Sequence, residues 1–306
     1  MRGAPFQILL YYLYSPLADA AGYCEEHMAL CERLGLRGRI LIAPEGINGT
    51  VSGTVEGTEE YVRILRDDER TAGIEFMVDA AEGHVFAKLS VKLREEVVTL
   101  GLGEEDVVPW EVTGEHLAPA QWRAMMERDD VVLLDARNDY EWELGRFEGA
   151  ILPPVQNFRD LPDWVRRHRA ELEGKKILTY CTGGIRCEKF SGFLRREGFE
   201  EVYQLEGGIV AYGKDPDLRG EKFEGKCYVF DERIVVEVNR TAGAEVVSRC
   251  RHCGGRSDRY VNCAWPPCNA QHFCCESCEE ETQRFCGRAC AKGALVSLAA
   301  KANESD

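Results

Sequence analysis

Hydrophobic and polar positions alternate in three different ways along the chain. Up to about residue 100, short apolar or β-branched runs take turns with segments of helical period. Gln7–Tyr14, Gly38–Ala43, Ile74–Val78 and Val85–Leu93 read as strands, with a short β-branched piece at Thr50–Ser52. Asp19–Leu34 reads as a helix with Tyr23, His27, Leu30 and Leu34 toward one side. Thr58–Asp67 reads as a second helix, with Thr58 as its expected N-cap and Tyr61, Val62 and Leu65 facing inward. The order βαββαββ predicts a small α+β sandwich of ferredoxin-like kind. Ala43-Pro44-Glu45-Gly46-Ile47-Asn48-Gly49-Thr50 is expected as a hairpin connection, because Asn48-Gly49 is a strong turn pair.

Residues 112–215 change period. Buried-strand runs at Val131–Asp135, Ile177–Tyr180 and Val202–Leu205 alternate with helical segments at Gly114–Arg128, Tyr140–Gly145, Leu161–Glu171 and Arg186–Gly198. Strands alternating with helices predict a parallel α/β sheet, and Gly198 suits a helix C-terminus. Beyond residue 216 only Lys226–Glu237 is strand-like, and the apolar content is too thin for an independent core, so a covalent or metal staple is needed. The tail from Leu298 to Asp306 is expected to fray. The chain thus divides into three units: 1–105, 112–215 and 216–306.

Composition changes this picture in two places. The chain has 306 residues, 44% hydrophobic and 30% charged, with a net charge of -15. Such acidity argues against non-specific nucleic-acid binding, yet the balance turns locally positive across residues 158–196. No run is long enough to span a bilayer, and the apolar N-terminus reads as a first strand rather than a leader, so a cytoplasmic protein is expected. The second point is cysteine, with 14 in all and a dense group between 250 and 290. Without a secretory signal, metal-binding and catalytic thiols are better readings than disulfides.

Tyr180-Cys181-Thr182-Gly183-Gly184-Ile185-Arg186-Cys187 places one cysteine between a buried strand and a helix. The glycines let successive N–H groups of Thr182, Gly183, Gly184 and Ile185 converge, and the helix start adds positive potential. Such a cradle stabilises a thiolate, a persulfide or an oxyanion at Cys181 and lowers its pKa, with Arg186 as a fixed charge. The plain alternative is a structural cysteine beside an ordinary turn. Cys187 is either a resolving thiol or a packed core residue.

With these residues, Leu133-Leu134-Asp135-Ala136-Arg137, Glu141, Gly145 and Gly149-Ala150-Ile151 resemble the first signature of the rhodanese family. Cys181–Arg186 matches that family's active-site loop, and Leu205-Glu206-Gly207-Gly208-Ile209 its closing signature. Arg146-Phe147-Glu148-Gly149 departs from the common His-Ile-Pro-Gly. The resemblance implies that Cys181 is catalytic and that Asp135 and Arg137 form an internal pair. Three further blocks, Arg37–Thr50, Gly225–Arg233 and Asp258–Cys263, resemble the oxygen-dependent tRNA uridine hydroxylases over nearly the whole chain. That family joins an acylphosphatase-like domain, a rhodanese domain and a cysteine-bearing segment. The resemblance implies conversion of uridine 34 in the tRNA anticodon loop to 5-hydroxyuridine, with molecular oxygen as co-substrate. A sulfurtransferase carrying persulfide on Cys181 is the alternative, since the loop cradles either species.

No flavin, nicotinamide or haem site is evident. Arg37, Arg39, Arg159, Arg166, Arg167, Arg169, Lys175 and Lys176 are candidates for RNA contact, though each alone reads as a solvated surface charge. The tail cysteines pair as Cys250/Cys253, Cys263/Cys268, Cys275/Cys278 and Cys286/Cys290, with Cys274 left over. Eight thiolates suit two structural zinc ions, in sequential or interleaved pairing, and His252 or His272 could replace a thiol. An iron–sulfur cluster is a lesser alternative. The sequence identifies no protein partner.

Overall fold

The computed structural model describes residues 4–303, with side chains through Val296. The first unit consists of β1 (Phe6–Tyr14), α1 (Ala20–Arg33), β2 (Arg37–Ala43), β3 (Gly46–Thr54), α2 (Val55–Asp67), β4 (Glu75–Ala81) and β5 (Leu89–Leu93). Its sheet runs β4-β1-β3-β2-β5, antiparallel except that β5 joins β2 in parallel. This is the ferredoxin-like order the pattern predicts, with one strand added at the edge. Side chains alternate across the pleat. Leu9, Tyr11, Ile40, Ile42, Ile47 and Val51 share a core with Tyr23, Cys31, Tyr61 and Leu65 of the two helices. The opposite face carries Leu10, Tyr12, Arg39, Leu41, Asn48 and Thr50, in cross-strand rungs Leu10–Thr50–Arg39 and Tyr12–Asn48–Leu41.

Three local expectations are corrected. Asn48-Gly49 is not a turn; both residues lie within β3, and the hairpin turns at Pro44-Glu45. Gly49 is needed for space, because a Cβ there would meet the Tyr11 ring at 2.4 Å. Gly46 serves the turn, at φ +142° and against the Leu13 carbonyl. Thr58 is not the N-cap; Thr54 caps α2 by accepting from the Gly57 N–H, while Thr58 is buried and donates to Gln7. Val85–Leu93 is strand only from Leu89.

The second unit comprises β6 (Glu115–Leu117), α3 (Pro119–Met125), β7 (Val131–Asp135), α4 (Asp139–Trp142), β8 (Gly145–Phe147), α5 (Leu161–Arg167), α6 (Arg169–Leu172), β9 (Lys176–Tyr180), α7 (Ile185–Arg196), β10 (Val202–Leu205) and α8 (Gly208–Lys214). The parallel sheet runs β6-β10-β9-β7. The helix expected from Gly114 starts only at Pro119, because Glu115–Leu117 instead pair with β10. Leu161–Glu171 is two helices meeting at His168, whose ring stacks on Trp164.

The last unit holds β11 (Phe223–Tyr228), β12 (Val235–Glu237), β13 (Tyr260–Asn262), β14 (Gln271–Phe273), α9 (Glu276–Thr282) and α10 (Arg288–Asn303). β11 pairs antiparallel with both β12 and β8, which ties this segment to the second unit. The tail expected to fray is helical through Asn303, and Glu304–Asp306 lie outside the described residues. Among the described residues, no helix is long and apolar enough to cross a membrane.

Candidate active site and cysteine clusters

Cys181 directly follows β9 and is fully buried. The Gly184 N–H donates to its sulfur at 3.1 Å, with Gly184 at φ +103°. The loop's carbonyls are held from behind: the N–H groups of Ile209 and Val210, at the start of α8, donate to the Cys181 and Thr182 oxygens at 3.0 Å each. Gly208 permits this approach, for a Cβ there would stand 2.6–2.8 Å from Cys181 O, Thr182 O and Gly184 N. Burial by itself raises the Cys181 pKa. The hydrogen bond from the Cys187 thiol, the Arg186 charge and the N–H groups of Gly184 and Arg186 outweigh it and bring the thiol down to about 6. Cys187 is buried and pushed the other way, so it is the protonated partner.

Arg186 grips Glu141 through two hydrogen bonds of 2.6 and 2.8 Å, and its Nη2 reaches Thr182 Oγ1 at 3.2 Å. Glu141 is fully buried; its burial penalty is overcome by Arg186, which holds the carboxyl below its ordinary range. Sequence reasoning quoted Glu141 only as part of a signature and gave it no role. Asp135 and Arg137 form a fully buried pair at 2.6 Å, and Arg137 also donates to the Gly145 carbonyl.

Over the loop lies a cavity of about 350 Å³. Its roof is the open face of the first sheet, with Leu10, Tyr12, Arg39, Leu41, Asn48 and Thr50. Phe86, Arg94, Tyr140, Phe158 and Phe230 complete the wall. Tyr12 donates to Glu188 at 2.9 Å, and its hydroxyl stands over Gly184. Of the basic candidates, only Arg39 lines this cavity; Arg94, which sequence reasoning missed, joins it there. Arg166 pairs with Glu197 at 2.9 Å and Lys176 with Glu201 at 2.5 Å. Arg167, Arg169 and Lys175 donate to carbonyls of Asp163, Glu197 and Asp129. Arg37 and Arg159 also lie outside the cavity lining.

The eight paired cysteines fall into two interleaved sets, Cys250/Cys253/Cys275/Cys278 and Cys263/Cys268/Cys286/Cys290, with sulfurs in each set within 4.8 Å of one another. Cys253–Cys275 and Cys268–Cys286 are 3.7 Å apart, and Cys286–Cys290 3.4 Å. A tetrahedron with metal–sulfur bonds of about 2.3 Å has edges of about 3.8 Å. Every cysteine is a free thiol. Both sets can therefore hold a metal ion. The segment leans on the cavity wall through a run of rings: Tyr140 meets Tyr228 at 5.3 Å, Tyr228 meets Tyr260 at 5.8 Å, and Tyr260 stacks on Phe273 at 4.0 Å.

A cradled thiol on a parallel sheet, bounded by these signatures, defines a rhodanese-domain protein, and the rhodanese-like domain model matches residues 118–215. The UPF0176 acylphosphatase like domain matches 6–97, and the rhodanese C-terminal domain matches 224–291. Two tRNA uridine(34) hydroxylases, from Bacillus mycoides and Shouchella clausii, are each 52% identical to this chain. The first aligns over 94% of this chain and 89% of its own length, the second over 93% and 88%. The chain belongs to the tRNA uridine(34) hydroxylase family. Among solved structures, a rhodanese-like domain from Anabaena sp. covers 46% of this chain and 96% of its own, at 26% identity and a TM-score of 0.30.

Proposed function

We propose that this enzyme hydroxylates uridine 34 of tRNA to 5-hydroxyuridine, with dioxygen as co-substrate and Cys181 as the catalytic thiol. The full-length kinship to proteins named for that activity carries the reading. The cleft supports it. Its volume is in the range of small-ligand sites and takes one unstacked nucleotide, whose base can lie against the rings of Tyr12, Phe86, Tyr140 or Phe230. Arg39 and Arg94 line the cavity, and their charges suit flanking phosphates. In a chain of net charge -15, RNA contact must be local, and these two cations provide it beside the thiol. A sulfurtransferase would use the same loop, but the relatives are not named for that reaction.

The chemistry follows from two thiols. The Cys181 thiolate adds to carbon 6 of the uracil, and the displaced electron pair makes carbon 5 nucleophilic. Carbon 5 attacks dioxygen and, after protonation, bears a hydroperoxide. The Cys187 thiol takes the distal oxygen, the O–O bond breaks, and a hydroxyl stays on carbon 5. Loss of the carbon 5 proton expels Cys181 and restores the ring double bond. Cys181 then condenses with the Cys187 sulfenic acid, releasing water. One uridine, one dioxygen and two thiols give one 5-hydroxyuridine, one disulfide and one water. A small-molecule thiol resets the pair. The loop amides, Arg186 and Glu141 hold the thiolate in place, and the two tetrathiolate sets would hold structural zinc, which would supply rigidity and no chemistry because four thiolates fill its coordination. The reaction and its substrate belong to the cytoplasm.

The test is mass spectrometry of digested tRNA from cells lacking the gene, complemented with wild type or Cys181→Ser. Loss of wobble 5-hydroxyuridine derivatives, restored only by wild type, is expected. Unchanged modification, with no second enzyme present, overturns the reading.

A further inference from the structure

We propose a third metal site, formed by His252, His272 and Cys274 and separate from both tetrathiolate sets. The side chains at 272 and 274 are two residues apart at the end of β14, so they leave the strand on the same side, while Phe273 turns to the other side and stacks on Tyr260. His252 sits between Cys250 and Cys253, in a turn closed onto β14 by the Arg251 N–H, which donates to the Phe273 carbonyl at 2.9 Å. One ligand atom from each residue lies within 4.8 Å of the others.

The histidines are the telling feature. His272 is 4% exposed, and the Nε2 atoms of both His252 and His272 are buried without a hydrogen-bond partner. A buried ring nitrogen left unpaired loses its hydration with nothing in return, so such atoms are rare unless a partner is missing. The Nδ1 of His272 faces the Ala270 carbonyl at 3.4 Å, which favours the proton on Nδ1 and leaves the Nε2 lone pair free. Metal-bound histidines are commonly oriented in this way. The rings meet edge to face, with centroids 5.6 Å apart. Two imidazoles and a thiolate match zinc, and three protein ligands leave one coordination position open to water or a small ligand. Charge favours the same ion. A filled tetrathiolate site would carry a formal charge of about -2, and Cys274 packs in one buried cluster with its Cys250. None of the three residues lines the Cys181 cavity, so the site stands apart from the thiol chemistry.

The experiment counts zinc. Full-length protein is purified without chelators, saturated with zinc chloride, desalted and measured for metal per chain by mass spectrometry. Three equivalents are expected for wild type, and two for His272→Phe, Cys274→Ser and His252→Gln. His252→Gln alters the least buried of the three ligands and guards against a folding defect. Two equivalents in wild type, or three retained in all the variants, overturn the third site and leave the tetrathiolate sites intact. Fewer than two in wild type overturns the zinc reading of those sites as well.

Discussion

At the scale of single residues, the thiol depends as much on a glycine as on a charge. Gly208, at φ +62°, is the contact that lets α8 reach the carbonyls of the Cys181 loop. Gly208→Ala adds strain of about 1–3 kcal/mol and pushes the loop off its amides. Thiol alkylation measured against pH then shows the Cys181 midpoint rising from about 6 toward the ordinary cysteine range. The direction of the activity profile follows from the same value. With Cys181 as the nucleophile proposed above, only its thiolate would attack, so kcat/KM is expected to rise with pH through about 6 and level off above it. Arg186→Gln removes a charge that favours the thiolate, and its profile shifts to higher pH. An unchanged midpoint in that variant excludes Arg186 as a source of the shift.

At the scale of elements, the sheet of the first unit works on two sides. One side packs its helices, and the other roofs the thiol. Arg39→Ala and Arg94→Ala should each raise the KM for tRNA several-fold with kcat little changed. Each should also lower the salt slope of binding by about 1, as expected for one lost phosphate contact. Filter binding across a salt series measures this; an unchanged slope in both variants removes them from the RNA interface. This two-sidedness explains where sequence reading stopped. In Phe6–Tyr14 both faces are apolar or aromatic from Ile8 onward, so no alternation separates Leu10 and Tyr12 from Leu9 and Tyr11. Asn48-Gly49 looked like a turn because the pair is good at turning, and the reason for Gly49, the Tyr11 ring, lies on another strand. Cys181 was legible because a strand end, two glycines and an arginine converge within seven residues. The cysteine pairs were legible too. Their interleaving was not, because it depends on how β13 and β14 bring distant pairs together.

At the scale of the whole molecule, Lys189 is the joint. It is fully buried in α7, eight positions past Cys181, and its ammonium meets Glu45 at 2.9 Å, Glu96 at 2.7 Å and Asp106 at 2.6 Å. These carboxylates come from the β2–β3 turn and from the strap that leads into the second unit. Lys189→Met leaves three acids facing one another and should cost about 3 kcal/mol, near the lower end for a broken buried pair because the acids retain some solvent. Thermal unfolding measures the loss. Activity should fall further than stability does, since the roof is released from the loop.

The roof and the floor of the cleft are made at different times. Tyr12 and Arg39 leave the ribosome early, Cys181 much later, and Phe230 last among the cavity residues. At roughly 5–20 residues per second, the stretch from Leu93, the end of β5, to Cys181 takes about 4–18 s, time in which the first sheet can form. The cap is thus waiting when the thiol emerges, and a nascent chain carries a covered cysteine before its final wall exists.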